Sequence, residues 1–165
     1  LTEVDELLDS VAQGIERALA AQVRRDPLMV GIRTGGVWVA ERLHARLALT
    51  EPLGMLNINF YRDDFTRIGL HPRVSPSSLP FQIDARHIVL VDDVIHTGRT
   101  IRAALNEVFD YGRPASVLLC TLVERSGREL PIQPDVAGEK WTLKSNEYVK
   151  LSGPEPLRLE VKRSG

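Results

Sequence analysis

The run Ile88-Val89-Leu90-Val91-Asp92-Asp93-Val94-Ile95-His96-Thr97-Gly98-Arg99-Thr100 holds the residues of this chain best suited to chemistry. An apolar stretch ends in two acids, and a turn of small and hydroxylated residues follows before a helical pattern begins. The segment from His87 to Val91 reads as a strand buried on both faces, so Asp92 and Asp93 are expected where the sheet ends and ligand or solvent begins. Adjacent carboxylates at such a place accept hydrogen bonds from sugar hydroxyls and help hold a hard divalent cation. Thr97 to Thr100 supply backbone N–H groups, two hydroxyls and a glycine without Cβ, the equipment for wrapping a phosphate at a helix N-terminus. Together the two halves suit a phosphorylated sugar. The chain has no G-x-G-x-x-G and no Walker lysine, so dinucleotide and nucleoside-triphosphate readings lack support.

Positioning those residues requires a scaffold, and the sequence outlines one. Val4, Leu7, Leu8, Val11, Ile15 and Leu19 recur at helical spacing, which predicts an amphipathic helix ending near Arg24 to Pro27. Leu28 to Ile32 reads as a short buried strand, and Arg33-Thr34-Gly35-Gly36 as a turn into a second helix through Val37, Ala40, Leu43 and Leu47. A strand is expected at Met55 to Tyr61. The polar stretch from Arg62 to Pro80, with Pro72, Pro76 and Pro80, reads as a long functional loop that is mobile without ligand. After the acids, Ile101, Ala104, Leu105, Val108 and Phe109 trace a helical face closed by Gly112 and Pro114, and a strand follows at 117–123. Alternating strands and helices imply a mostly parallel sheet whose ligands bind beyond the carboxyl ends of the strands. Loops beginning at Arg33, Arg62 and Asp92 each follow a strand and converge there. Residues 125–150 read as a small irregular lobe, and Leu157 to Val161 as a last strand returning to the sheet edge.

Composition narrows the partners. A chain of 165 residues with 43% hydrophobic content suits one domain with a full core, and a net charge of -1 gives no overall pull toward nucleic acid or membrane. The single cysteine, Cys120, lies in the apolar run 117–123 and is expected buried, which fits a reducing compartment. No apolar run approaches the ~20 residues of a membrane span, and the four histidines lack metal-ligand spacing. Arg33 and Arg62 also admit plainer readings, as a surface arginine beside a turn and as part of a solvated cluster with Asp63 and Asp64.

The 88–100 run resembles the phosphoribosyl pyrophosphate motif of type I phosphoribosyltransferases at every position. With Tyr61-Arg62-Asp63-Asp64, Gly112-Arg113-Pro114 and Arg128-Glu129-Leu130-Pro131-Ile132, the chain is similar over nearly its whole length to the PyrR family, bifunctional pyrimidine operon regulators with uracil phosphoribosyltransferase activity. The resemblance implies an α/β fold of the type I phosphoribosyltransferase kind, with a mostly parallel central sheet flanked by helices and a small irregular hood. It implies one domain over 1–165, its core at about 1–124 and 151–165 and its hood at about 125–150. The implied reaction converts uracil and phosphoribosyl pyrophosphate (PRPP) to UMP and pyrophosphate, with Mg2+ held mainly by PRPP and assisted by Asp92 and Asp93. Asp92, Asp93 and Arg62 would be catalytic. PRPP and UMP would be bound by Arg33, Thr34, Gly35, Val94, Ile95, His96, Thr97, Gly98, Arg99, Thr100 and Arg125. A homodimer or homotetramer in the cytoplasm, regulating the pyr operon through its leader mRNA in response to UMP, completes the picture. Another base, or a nucleotide-sensing regulator with little enzyme activity, stands as the alternative.

The same family leads to two structural expectations: a non-proline cis peptide at the turn around Thr34, and a loop from about Thr66 to Ser78 that closes over ligand. Departures from the family pattern are also visible. Thr34-Gly35-Gly36 stands where Thr-Arg-Gly is usual, leaving Arg33 as the guanidinium of that turn, and Arg125-Ser126-Gly127-Arg128 stands where Arg-Gly-His-Arg is common. On the first helix, Asp9, Ser10 and Gln13 occupy positions that carry threonine, arginine and histidine in RNA-binding members. The remaining basic candidates for RNA are Arg17, Arg24, Arg25, Arg113, Lys140 and Lys144.

Overall fold

The protein is described by a computed structural model covering residues 3–58 and 77–164. In chain order its elements are α1 (Val4–Ala21), β1 (Leu28–Ile32), α2 (Gly35–Leu47), β2 (Gly54–Leu56), β3 (His87–Ile95), α3 (Arg99–Tyr111), β4 (Ser116–Arg125), β5 (Val136–Trp141), β6 (Glu147–Ser152) and β7 (Arg158–Arg163). Strands β2-β1-β3-β4-β5 form one sheet in that order, with every neighbouring pair parallel. Parallel neighbours need crossover connections, and α1, α2 and α3 supply the cover those crossovers allow.

Both faces of the sheet are buried, which explains why all of β1 is apolar rather than alternating. On one face Met29, Val89 and Val91 meet α1 and α2 through Leu8, Val11, Ile15, Val39 and Leu43. On the other, Leu28, Val30, Ile32, Ile88 and Leu90 meet Ile101, Ala104 and Val108 of α3. Cys120 is buried in β4 as expected, its thiol donating to the Leu90 carbonyl at 3.5 Å, and burial pushes its pKa up. Gly31 has no room for a side chain: a Cβ there would meet Ala40, the Gly36 carbonyl and Val37, each at 2.9 Å, so glycine lets α2 lie directly on β1.

Four expectations need correction. The last strand does not return to the edge of the main sheet; β7 pairs antiparallel with β6 in a separate two-stranded sheet. Leu151 and Leu159 of this hairpin pack into the α1–α2 side of the core. The segment expected as an irregular lobe supplies β5, the fifth strand of the main sheet, and most of β6. The strand expected at Met55 to Tyr61 is the short β2, and its residues from 59 onward lie outside the described residues. Finally, β3 runs through the acids instead of ending before them: Asp92 pairs with Thr121, Val94 with Val123 and Ile95 with Glu124. On its other side, the described register with β1 ends at Gly31 opposite Val91. Continuing that register, Asp92 stands level with Ile32, the last residue of β1, and Asp93 just beyond it, while the strand remains anchored on β4.

Candidate active site

Both adjacent acids reach the start of α2, close enough for the Asp93 carboxylate to bear on Asp92 through its charge and a side-chain hydrogen bond. The apolar residues before them alternate, Ile88 and Leu90 facing α3 and Val89 and Val91 facing α1 and α2, but past the acids Val94 joins the α1–α2 side and Ile95 the α3 side, so the alternation reverses across the pair. Asp92 is buried and lines a cavity of about 170 Å3 with Val94, Ile95, His96, Thr97, Gly98, Thr100 and Ile101. Asp93 lies against the start of α2, where a Cβ on Gly35 would come within 2.3 Å of its Oδ2. Gly36 is closed in similarly, its missing Cβ 2.7 Å from the Val91 carbonyl and 3.1 Å from Asp92 Cα. Glycines at 35 and 36 thus bring the 33–36 turn onto the acid-bearing strand.

Local hydrogen bonds hold both carboxylates. Asp92 Oδ1 accepts from the Asp93 amide at 2.9 Å, and Asp93 Oδ1 accepts from the Val94 amide at 2.8 Å. Burial, reinforced by the neighbouring Asp93 charge, holds the Asp92 carboxyl well above the usual carboxylate range. A cation or a set of hydroxyl donors at this place would favour its ionised form.

The expected turn between β3 and α3 is present, with Gly98 at φ +99 immediately before the helix. That left-handed conformation is open to glycine at no steric cost. The Thr97 hydroxyl accepts from the Arg99 amide at 3.2 Å. The first turn of α3 carries no acidic residue of its own, and Gly98, Thr100 and Ile101 at that end line the cavity with Asp92.

The described residues place most of the sequence candidates around this strand end. Arg33, Thr34 and Gly35 form the turn beside Asp93, and the Arg33–Thr34 peptide is cis, as expected for that turn. Arg33 is exposed and its guanidinium reaches Met55 Sδ at 3.7 Å. Arg99, expected in the turn through its backbone amide, pairs its guanidinium with Glu129 at 3.1 Å. Arg125 is buried at the end of β4 and does not line the 170 Å3 cavity. It borders a second hollow, of about 200 Å3, with Glu124, Ser126, Gly127, Arg128, Lys140, Trp141 and Thr142. Arg62 and the stretch through residue 76, expected to close over ligand, lie outside the described residues. Of that stretch, Ser77 and Ser78 are described, and Ser78 bridges to Met55.

His96 joins the two hollows. Arg125 Nη1 donates to His96 Nε2, which requires a neutral imidazole protonated on Nδ1. Arg125 Nη2 donates to the Lys144 carbonyl at 2.9 Å, while its buried Nε has no partner. Desolvation and the Arg125 charge lower the His96 pKa, with Glu129 opposing and Arg128 adding to the fall. Arg128 donates to the His96 carbonyl and, at 2.5 Å, to Glu124 Oε2. Neither Arg128 nor Glu124 was a candidate site residue in the sequence, although Arg128 opens the Arg-Glu-Leu-Pro-Ile run that carries part of the family resemblance.

Two oxygen donors from side chains suit a hard cation that takes its other ligands from a bound phosphate and water. The described residues contain no cluster of three or more His, Cys, Asp or Glu able to hold a metal unaided. None of their helices is long and apolar enough to cross a membrane.

Comparison with known proteins gives this geometry a context. A family model for the phosphoribosyl transferase domain matches residues 3–149. Bifunctional protein PyrR of Nitrosococcus oceani is 61% identical over 160 residues, 96% of this chain and 90% of that protein. The protein of the same name from Pseudomonas aeruginosa strain PAO1 is 59% identical over 157 residues, covering 95% and 92%. Among solved structures, the hypoxanthine phosphoribosyltransferase of Trypanosoma cruzi superposes with a TM-score of 0.70 at 18% identity, covering 100% of this chain and 96% of that one. A hypoxanthine-guanine-xanthine phosphoribosyltransferase gives 0.64 at 21% identity, covering 90% and 80%. At such identities the structural likeness speaks for the fold.

Proposed function

Because this chain belongs to the phosphoribosyl transferase domain family, and within it to the PyrR proteins, we propose that it makes UMP and pyrophosphate from uracil and PRPP. One observation supports the reading most: two adjacent acids at one strand end, one lining the hollow of the 94–100 turn and the other against the 33–36 turn, both turns rich in backbone N–H groups. Asp93 with the 33–36 turn and Asp92 with the 94–100 turn flank the space a ribose bearing phosphate on either side would fill.

The chemistry sets the division of labour. When pyrophosphate leaves the ribose carbon, positive charge develops on the ring and negative charge on the leaving group, so both must be held as water is excluded. The 94–100 turn receives the 5′-phosphate through its amides and the hydroxyls of Thr97 and Thr100. The 33–36 turn presents amides and the Arg33 guanidinium to the pyrophosphate. Asp92 and Asp93 accept from the ribose hydroxyls, and together they assist Mg2+, held chiefly by the diphosphate. When bound, that ion supplies charge neutralisation to the leaving group. Arg62 keeps the role its position in the sequence suggests, adding positive charge beside the departing pyrophosphate. Residues 125–150 border the base, with Arg125 and the hollow beside it on that side. We take residues 1–165 to act as one functional unit, in the cytoplasm and as a homodimer or homotetramer.

Its relatives are named bifunctional, and we propose that this chain has, beside the transferase activity, a role in regulating pyrimidine biosynthetic genes through UMP-responsive binding of leader mRNA. The basic candidates fall into separate groups. Arg24, Arg25 and Arg113 precede β1 and β4, at the amino end of the parallel sheet, whereas Lys140 and Lys144 belong to the opposite end. Asp9 on α1 is engaged by Arg46 of α2 at 2.9 Å, so an acid at that position fastens the two helices. Replacing Arg24, Arg25 and Arg113 with Ser should weaken a gel shift with the leader and flatten its salt dependence by about one unit of slope for each lost phosphate contact. An unchanged salt slope would place the RNA elsewhere.

Labelled uracil, PRPP and Mg2+ test the enzymatic half, with orotate and hypoxanthine as competitors. UMP formation unaffected by either competitor is expected. Product from another base, with none from uracil, would reassign the substrate.

A further inference from the structure

The phosphate-binding turn of this chain is aimed from outside, by the segment that follows β4. A peptide turn can wrap an anion only when its N–H groups face inward and its carbonyl oxygens face away. In a trans peptide the carbonyl of one residue and the N–H of the next point in opposite directions. Holding the His96 carbonyl outward therefore turns the Thr97 N–H inward, and holding the Thr97 carbonyl outward does the same for Gly98.

Both carbonyls are held that way. Arg128 Nη1 donates to the His96 carbonyl, and the Thr97 carbonyl accepts from the amides of Glu129 and Leu130, each at 3.0 Å. Arg128 is itself fixed by Glu124, whose Oε2 lies 2.5 Å from Nη2. Glu124 sits directly across the β3–β4 ladder from Ile95, the residue before His96. The guanidinium thus spans from the strand end to the turn that grows from the neighbouring strand. Leu130 and Ile132 close the outside of Gly98, with distances of 3.4 Å from each to where its Cβ would be.

We propose that Arg128 is a positioning residue for the 5′-phosphate turn: its two-ended contact with Glu124 and the His96 carbonyl presets the inward N–H groups before the ligand arrives. A fork with two donors serves two acceptors in one rigid plane, which an ammonium at the end of a flexible stem does not reproduce. The assignment rests on the phosphoribosyltransferase reading for the identity of the ligand, and its geometry is separate from the 33–36 turn.

That separation gives the test. Calorimetric titration with ribose 5-phosphate probes the 94–100 turn, and titration with Mg-pyrophosphate probes the 33–36 turn. Wild-type protein that binds neither would defeat the functional reading itself. With wild type binding both, Arg128→Gln should lose roughly tenfold or more in affinity for ribose 5-phosphate and keep its affinity for Mg-pyrophosphate. Arg128→Lys should fall between the two, and it carries the same comparison should the Gln variant fail to fold. Equal affinities in wild type and variants, or an equal loss for both ligands, would overturn the assignment.

Discussion

Asp92 and Asp93 act on each other but differ in burial. One is buried and raised in pKa, while the other rests against the glycine that begins α2. A Cβ at position 35 would collide with the Asp93 carboxylate, a flexible group that can move aside at the cost of its aim. Gly35→Ala is therefore expected to fold normally and to raise the KM for PRPP by roughly tenfold, equivalent to ~1.4 kcal/mol. An unchanged KM would show that the approach of Asp93 to the turn has no functional weight. His96 offers a second handle. Arg125, Arg128 and Glu129 face it, and the net result is a pKa below the usual histidine value. A folded state that resists protonating His96 binds fewer protons than the unfolded chain, so stability falls as pH drops below ~6.5 toward the lowered value. The buried Asp92, raised in pKa, works the other way over this range, so it is the urea midpoint of wild type relative to His96→Gln that should decline between pH 7.5 and 5. Parallel curves for the two proteins would contradict it.

At the scale of elements, the β3–turn–α3 unit was readable because its signals are local: a short apolar run, a glycine at the helix start and a helical stripe from Ile101 to Val108. Elements recruited over long distances were less readable. In β5, Val-Ala-Gly-Glu-Lys-Trp shows neither strand alternation nor a continuous apolar run, and it becomes a strand because β4 offers it a parallel edge. Gly138 marks that contact, since a Cβ there would lie 2.5 Å from the Leu122 carbonyl. The same limitation hid Arg128, since one of its partners, the His96 carbonyl, lies 32 residues away, and the other, Glu124 four residues before it, gives no sign of that contact. The β6–β7 hairpin was misplaced because Leu157 to Val161 has the pattern of any half-buried strand. Its true partner is set by Leu151 and Leu159 docking on α1 and α2. Leu159→Ala should destabilise the protein by about 2–4 kcal/mol in chemical denaturation while leaving kcat/KM unchanged. A loss of activity without a loss of stability would tie the hairpin to catalysis.

Across the whole molecule, the candidate segments collect at the carboxyl end of one parallel sheet, where the 33–36 turn, the acids, the 94–100 turn and the 124–132 segment lie. The chain's central claim to an activity is that this meeting place grips a sugar carrying phosphate at one end and diphosphate at the other. Titrating PRPP with Mg2+ into the protein, and into a variant with Asp92→Asn and Asp93→Asn together, tests that grip most directly. The variant keeps the shape of both side chains and removes their charge. Saturable heat at one site per chain is expected from the wild type, with at least a roughly hundredfold weaker affinity in the variant. Absence of binding to the wild type, or equal affinity in both, would contradict the account.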